Sequence, residues 1–424
     1  MTPNPAAPNQ APDPPAPAPT RRIFAHATAV LPGRLLEDAL VAVEDGVITE
    51  VRAAGGRVPA EAEDVRGALL LPGLVDTHSD GLEKEIAPRP GARFDVDFAV
   101  GSFEGRVRAA GVTTVFHGIG YEVNVRKGRT VEGAELIADA LRRRGAGGRA
   151  LVDHRMLYRL DARDPQALPA LRAQLERPGP AGTPPLVSFE DHTPGQGQYR
   201  DPAYFRRWLQ GEEGLTEEEA QARLEAMVAD RDTREWHRPV ALRWLAGEAA
   251  AGRARLLAHD PVTRAEVADA RGHGVAVAEF PTTVEAARAA RELGMLIVAG
   301  APNVLRGGSH SGNVAAAELV AEGLVDALSS DYLPSALLAA VFLLERAGAA
   351  TLPEAVRLVT AGAAGVAGLP DRGEIRPGAR GDLLLATVDG GWPTVRRTLS
   401  ANDLTAGGAD AYAYSGRPAA AVAR

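Results

Sequence analysis

The sequence predicts an α/β fold in which a TIM-type (β/α)8 barrel carries a small β-sandwich domain built from both termini. Two observations support this prediction. In the centre of the chain, eight apolar strand-like runs alternate with helical stretches, whereas short apolar runs separated by turn signals lie near both ends. Alternating strands and helices are typical of a parallel sheet, and short runs joined by turns are typical of antiparallel strands.

The two chain ends are predicted to form the small domain, at residues 21–70 and 371–424. Residues 24–30 are apolar-rich, and Asp45-Gly46 is a hairpin signal that leads directly into a further strand-like run. A matching run lies at residues 382–388. Both ends can therefore contribute strands to one sheet around a central insertion.

Composition limits the possible functions. Residues 1–20 are almost entirely Pro, Ala, Asn, Gln and Asp, so we expect a disordered tail. The chain has no cysteine, which excludes disulfides and thiolate metal sites. A net charge of −8 does not suggest a nucleic-acid partner, and no apolar run approaches the roughly 18–20 residues of a membrane helix. We expect a cytoplasmic protein that binds neither nucleic acid nor a membrane.

The barrel is assigned to residues 71–370. Catalytic groups of such barrels lie at the C-terminal ends of the strands, so polar residues at those positions are the candidates. The predicted strands are residues 73–78, 113–117, 151–158, 186–192, 254–259, 275–280, 295–299 and 326–331. The polar residues at their ends include His78, Asp80, His117, His154, Glu190, His192, His259, Glu279 and Asp331.

A longer segment, residues 199–253, separates the fourth and fifth predicted strands. Thr216-Glu-Glu-Glu219 has the pattern of an N-cap with a capping box, and residues 220–228 continue as an amphipathic helix. An insertion after a barrel strand falls on the active-site face. It is either a lid or oligomer contact, or a plain helical hairpin facing solvent.

The run Asp76-Thr-His-Ser-Asp80 ends the first predicted barrel strand. Residues at positions i, i+2 and i+4 of a strand share one face, so Asp76, His78 and Asp80 are expected to point the same way. An imidazole and a carboxylate two residues apart can chelate one divalent ion. The alternative is a hydrogen-bonded turn after the strand, and this run alone does not decide between them.

Later strand ends extend this set. Glu190 shares a strand face with His192, and it either ligates metal or pairs with an arginine. Glu279 follows four apolar residues and needs a cation, a metal or a donor, because burying it unpaired would be costly. Asp331 and His192 are the predicted catalytic residues, with Asp331 as the base. The predicted metal ligands are His78, Asp80, Glu190, His259, Glu279 and Asp331.

The Gly-rich segment at residues 300–313 is a candidate anion site. Its small residues let backbone N–H groups face a ligand, and the helix that follows adds a favourable dipole. The alternative is a mobile Gly-rich loop, and no Walker-type lysine is present. The predicted phosphate-binding residues are Lys84, Arg89, Arg155, Arg306, Ser309, His310, Ser311 and Asn313.

Together these segments resemble a known family. Residues 71–80, Leu-Pro-Gly-Leu-Val-Asp-Thr-His-Ser-Asp, resemble the first-strand signature of the amidohydrolase superfamily. Further motifs are similar to those of the PhnM family, the α-D-ribose 1-methylphosphonate 5-triphosphate diphosphatases. These motifs are Pro88-Arg-Pro-Gly91, Asp191-His-Thr-Pro-Gly-Gln196, Ala278-Glu-Phe-Pro-Thr-Thr283, Gly300-Ala-Pro-Asn303, Arg306-Gly-Gly-Ser-His-Ser-Gly-Asn313 and Ser329-Ser-Asp-Tyr332.

The resemblance implies a metal-dependent hydrolase of phosphonate metabolism that releases diphosphate and leaves the 5-phosphate. It implies a divalent ion, zinc first, with manganese or iron as alternatives and one or two ions per site. A homo-oligomer and partners among other phosphonate-pathway proteins are further expectations. The sequence departs from the family at Gly81, Leu157, Glu190 and Pro261. The alternative function is another amidohydrolase reaction, amide hydrolysis or deamination, on an anionic substrate; a non-catalytic scaffold is the third reading.

Overall fold

The computed structural model describes residues 20–124, 128–177, 183–309 and 312–405. The predicted tail lies outside these residues apart from Thr20, as do residues 406–424 of the predicted small domain. Among the helices described, none is both long enough and apolar enough to cross a membrane.

Two β-sheets account for all fifteen strands within the described residues. The strands are β1 Arg21–Leu31, β2 Arg34–Glu44, β3 Val47–Ala53, β4 Glu63–Asp64, β5 Leu69–Pro72, β6 Leu74–Ser79, β7 Val112–Tyr121, β8 Asp153–Asp161, β9 Leu186–Glu190, β10 Arg255–His259, β11 Val277–Glu279, β12 Leu296–Gly300, β13 Ala327–Ser329, β14 Leu383–Asp389 and β15 Trp392–Leu399.

Helices follow most barrel strands. They are α1 Gly81–Ile86, α2 Val96–Ala109, α3 Val131–Ala146, α4 Ala167–Leu175, α5 Pro202–Glu213, α6 Glu217–Asp232, α7 His237–Ala250, α8 Arg264–Gly272, α9 Val284–Glu292, α10 Ala301–Arg306, α11 Ala316–Ala321, α12 Ala336–Arg346, α13 Leu352–Leu358 and α14 Ala361–Ala367.

The eight strands from β6 to β13 form one parallel sheet in chain order, which confirms the predicted barrel. An isolated bridge between Ser79 and Asp331 joins the first strand to the end of the last. Every residue of β6 and β7 is buried, because parallel strands are covered by helices on one face and by the barrel interior on the other. The barrel is therefore nearly closed, and its closing contact lies at Asp331.

The barrel interior is apolar at one end and polar at the other. Side chains of a strand alternate between faces, so residues two apart share the interior. Leu157 precedes Arg159, Leu257 precedes His259, and Val277 precedes Glu279 along this face. The apolar members pack with α14 in one buried cluster at the N-terminal end of the strands. The polar members are thereby brought together at the C-terminal end.

The second sheet contains seven strands in the order β15-β14-β5-β1-β2-β3, with β4 beside β1. An antiparallel pair joins Leu383–Ala386 of β14, near the C-terminus, to Leu69–Pro72 of β5. The predicted small β unit from both chain ends is therefore confirmed, and its described strands form a single sheet. The domain boundaries at residues 70 and 371 stay a prediction.

Candidate active site

The polar end of the barrel holds a compact cluster of imidazoles and carboxylates. Three overlapping groups each keep their possible ligand atoms within 4.8 Å of one another. These groups are His78 with His259 and Glu279, His78 with Asp80 and Asp331, and Glu190 with His192 and His259. All of the residues predicted as metal ligands therefore lie together, although their role as ligands stays a prediction.

His78 is held in a defined orientation by its neighbours. Its Nδ1 lies 2.8 Å from Glu279 Oε1, and Ser188 Oγ donates to the other oxygen of Glu279 at 2.6 Å. Burial acts to lower the pKa of His78, but the charges of Glu279 and Asp80 outweigh it and hold that pKa well above its usual value. Because Nδ1 faces Glu279, Nε2 is left to face the cluster, where it lies 3.3 Å from Asp80 Oδ1.

The strand pattern predicted that Asp76 points the same way as His78 and Asp80, but Asp76 does not join the cluster. The pairing of β6 with β7 shifts register between Asp76 and Ser79. Asp76 instead accepts hydrogen bonds from the Ser330 backbone N–H at 3.0 Å and from the Ser330 hydroxyl at 2.5 Å. This buried carboxylate therefore ties β6 to the segment after β13 and supports the position of Asp331.

Arg159 of β8 lies between two carboxylates of the cluster. Its Nη1 donates to Asp80 Oδ2 at 2.5 Å, while Nε and Nη2 both donate to Glu190 Oε2, at 3.0 and 2.7 Å. Burial acts to raise the pKa of both carboxyls, but the guanidinium charge outweighs it and holds both pKa values well below their usual range. Asp80 and Glu190 are therefore charged in the folded chain.

Asp331 occupies a strained position beside these charges. Its φ of +55° lies in the left-handed region that side chains rarely adopt, as do those of Asp260 at +52° and Phe280 at +54°. All three follow the ends of barrel strands. Burial and then the charge of Asp80 raise the pKa of Asp331, which makes this carboxyl a better proton acceptor.

The donor set suits a divalent cation. Among the described residues, Asp80 Oδ1 and Glu190 Oε1 are buried oxygens without a hydrogen-bond donor. An unpartnered buried carboxylate oxygen is costly, and a bound cation removes that cost. Neutral imidazole and carboxylate are ligands that zinc, manganese and iron accept. Glu279 already accepts hydrogen bonds at both of its oxygens, so it orients His78 in the manner of partners that surround metal-binding histidines.

A cavity of about 390 Å³ opens over the cluster. It brings together half of the eight residues predicted to bind phosphate, namely Lys84, Arg306, Ser309 and Asn313. His310 and Ser311 lie outside the described residues. His78, Asp80, His259 and Asp331 line the same cavity, so Lys84 and Arg306 share this cavity with the cluster.

Two predicted phosphate-binding arginines lie elsewhere. Arg89 is exposed in the segment after α1 and is not among the residues that line this cavity. Arg155 lies near the start of β8, bonds Asp153 at 3.0 Å and lines a separate cavity with Phe116. Arg155 was misplaced because β8 ends at Asp161, three residues beyond the predicted strand end at residue 158.

Two of the strand-end histidines face away from the barrel interior. His117 Nε2 lies 2.9 Å from His154 Nδ1, and His154 Nε2 lies 2.9 Å from Glu104 of α2. The interior position of β7 is taken by Gly118, where an added Cβ would overlap Asp80 Oδ1. This outward pair is a buried contact between the barrel and α2.

Sequence reasoning missed Arg159, Asp260 and Tyr199, all of which line the cavity. Arg159 had a recognisable signal, because it is a lone charge in the apolar run from Met156 to Leu160. A charge buried in such a run requires a counter-charge. Which residue supplies that counter-charge depends on the position of each strand along the barrel axis. A single sequence does not specify that position.

Comparison with known proteins extends these observations. The chain is 37% identical over 353 residues to the α-D-ribose 1-methylphosphonate 5-triphosphate diphosphatase of Escherichia coli K12, covering 81% of this chain and 89% of the relative. No protein-family model matches the chain.

Solved structures share the fold at low sequence identity. A putative prolidase from Bifidobacterium longum is 17% identical with a TM-score of 0.59, over 93% of this chain and 99% of its own. The 5-methylcytosine deaminase from Klebsiella pneumoniae is 14% identical with a TM-score of 0.59, over 90% of this chain and 97% of its own. An amidohydrolase is 17% identical with a TM-score of 0.56, over 90% and 98%.

Proposed function

The chain belongs to the α-D-ribose 1-methylphosphonate 5-triphosphate diphosphatase family of the amidohydrolase superfamily, and we propose that it hydrolyses that triphosphate to the 5-phosphate and diphosphate. The observation that carries the proposal is the cavity that Lys84, Arg306, Ser309 and Asn313 line together with residues of the imidazole and carboxylate cluster. A phosphate chain needs both cations and hydrogen-bond donors beside the metal site, and these four side chains provide them.

We assign a single divalent ion, zinc first, to His78, Asp80, His259 and Asp331. A divalent ion bound there would lower the pKa of the attacking water and place positive charge beside the attacked phosphoryl group. Glu279 orients His78, and Glu190 with His192 borders the same space. Manganese and iron remain alternatives, because the same donor types accept them.

Asp331 acts as the base in this proposal. Its carboxylate lies beside His78 and Asp80 at the end of the last barrel strand, where it can accept a proton from the attacking water. His192 borders the cluster on the side of Glu190, where it can hold the substrate or donate a proton to it. The roles of Asp331 and His192 follow from their positions in the cluster and from the proton-transfer chemistry of a carboxylate and an imidazole.

The phosphate chain is assigned to the cation-lined side of the cavity. Lys84 and Arg306 offset the charge that develops on the departing diphosphate, and Ser309 with Asn313 donates hydrogen bonds to it. We keep His310 and Ser311 in this role on the sequence motif alone. A cytoplasmic location, a homo-oligomer and contact with other phosphonate-pathway proteins remain part of the proposal.

Metal removal tests the proposal. Chelation should abolish diphosphate release from the ribose triphosphate, and addition of zinc, manganese or iron should restore it. A panel of N-acyl amino acids provides the comparison for amide hydrolysis. Turnover of an amide with no diphosphate from the triphosphate would reject the proposed reaction in favour of another amidohydrolase activity.

A further inference from the structure

A second cavity, of about 600 Å³, opens beside the cluster. His192 and Tyr199 line it, and Tyr199 lines the first cavity as well. The two cavities therefore meet beside the residues that we assign to catalysis. We propose that the second cavity binds the ribose 1-alkylphosphonate end of the substrate, while the first cavity binds the diphosphate that leaves. This inference rests on the proposed function.

The outer wall of the second cavity is one face of α6. Arg223, Met227 and Asp230 of α6 line it, at the spacing of three to four residues that places side chains on one side of a helix, and Arg234 lines it just beyond the end of α6. Helix α6 belongs to the long insertion after β9. The insertion therefore forms a wall of the cavity, which neither of the sequence-based alternatives specified.

A buried ion network holds this wall against the barrel. Arg231 of α6 donates to both oxygens of Asp161, at 2.6 and 2.8 Å, and to Asp191 at 3.0 Å. Arg163 donates to Asp191 at 2.7 Å and to Asp232 at 3.1 Å. Asp161 and Asp191 come from the ends of β8 and β9, so the wall is tied to the same strand ends that carry Arg159 and Glu190.

The lining of the second cavity suits a sugar with one negative charge. Among the described residues that line it, four carboxylates, Glu122, Asp161, Asp164 and Asp230, outnumber three guanidiniums. Such a surface repels a diphosphate with several negative charges, but carboxylates accept hydrogen bonds from ring hydroxyls. Apolar side chains, including Val123 and Met227, offer contact to an alkyl group.

The first cavity has a less acidic lining. Among the described residues that line it, a lysine and two arginines, Lys84, Arg159 and Arg306, balance three aspartates. A divalent ion in the cluster would add two further positive charges. Polyphosphate oxygens therefore favour the first cavity, and the α-phosphoryl group is left at the junction between the two ends of the substrate.

Arg223 is the residue that we assign to the single charge of the alkylphosphonate. Its nearest carboxylate is that of Glu213, at 4.0 Å, and half of its side chain is exposed. The guanidinium can therefore reach an anion without breaking a short ion pair. Arg207 of the neighbouring helix α5 is similarly exposed, faces Asp201 at 3.9 Å and does not line the cavity, so it provides a matched control.

Calorimetric titration of the zinc-loaded full chain with two probes tests the division. The probes are α-D-ribose 1-methylphosphonate 5-phosphate and inorganic diphosphate. Loss of one charge-assisted contact in Arg223→Ala should weaken binding of the ribose compound about tenfold. Diphosphate binding to this variant should stay within about twofold, and Arg207→Ala should bind both probes as the wild type does. Arg306→Ala should weaken diphosphate binding more than binding of the ribose compound.

Two results would overturn the division: unchanged binding of the ribose compound to Arg223→Ala, or a stronger effect of Arg223→Ala on diphosphate. Failure of the ribose compound to bind the wild type would overturn it as well. Because titration needs no turnover, these results are separable from the proposed reaction. A chain that shows the predicted binding but releases no diphosphate would reject the reaction and leave the binding assignment standing.

Discussion

At the scale of single residues, Arg159 sets the charge of the candidate active site. It donates to Asp80 and to Glu190 from a side chain that is only 4% exposed. The guanidinium places its positive charge between these two carboxylates. A second divalent ion would have to bridge the same two carboxylates. The arrangement therefore favours a centre with one ion.

Metal content tests this role of Arg159. We expect one divalent ion per wild-type chain and one in Arg155→Ala, since Arg155 lies on the same strand away from the cluster. Arg159→Ala frees Asp80 and Glu190, so we expect uptake of a second ion at excess metal, measured by elemental analysis after gel filtration. If no second ion binds, Arg159→Ala should lower the free energy of unfolding by about 3 kcal/mol, because the buried carboxylates lose their guanidinium. Two ions in the wild type would refute the single-ion centre.

Gly118 is a second residue on which the cluster depends. A Cβ at this position would overlap Asp80 Oδ1 and lie 3.3 Å from Arg159 Cδ. We expect Gly118→Ala to weaken zinc binding at least about tenfold, because Asp80 must move. This change corresponds to about 1.4 kcal/mol of binding free energy. Competition with a chromogenic chelator measures the affinity. Gly101→Ala on α2, where nothing lies within 4 Å, is the control and should bind zinc normally; equal affinity in the two variants would contradict this account.

The sequence located part of this cluster and not the rest. His78, Asp80, His259 and Asp331 were recognisable because strand ends of a barrel converge at one edge. The outward direction of His117 was not, because it follows from Gly118 taking the interior position of β7. Arg155 was predicted to lie near a strand end because the end of β8 was placed three residues early.

At the scale of elements, the position of the insertion is set by the contacts that hold α6 against the barrel. The capping box at Thr216, predicted from the sequence, is present and starts α6. Its contacts with β8 and β9 were not predictable, because they join residues about 70 positions apart, such as Arg231 and Asp161. Burial raises the pKa of Asp161 to about 6, against the effect of Arg231. The carboxylate therefore depends on this arginine to stay charged.

Removal of Arg231 tests the attachment of α6. Arg231→Ala leaves Asp161 buried without its guanidinium, which should cost about 3 kcal/mol and speed amide hydrogen exchange in residues 217–232 by about 100-fold. Arg206→Ala removes a more exposed pair with Glu217 at 3.7 Å and a hydrogen bond to Gln221 at 3.0 Å on the same hairpin, and it should change exchange by less than about fivefold. Equal exchange in the two variants would show that the ion network does not hold the wall.

At the scale of the whole molecule, all eight barrel strands were predictable from strand-like runs that alternate with helical stretches, although β11 and β13 have only three residues each. Both chain ends contribute to the second sheet, as the matching runs indicated. Its pairing pattern was not predictable: β1 pairs in parallel with β5 and antiparallel with β2, and strand order depends on packing between distant segments. Fold and site are thus linked, since barrel closure at Ser79 and Asp331 also positions the proposed base.

Phosphorus NMR of the reaction products tests the central claim most directly. The zinc-loaded chain should convert α-D-ribose 1-methylphosphonate 5-triphosphate into equal amounts of the 5-phosphate and diphosphate. Asp331→Asn, with zinc still bound, should lower the rate at least about 100-fold, because it removes the proton acceptor. Release of orthophosphate with a 5-diphosphate left behind, or no turnover by the metal-loaded wild type, would contradict the account.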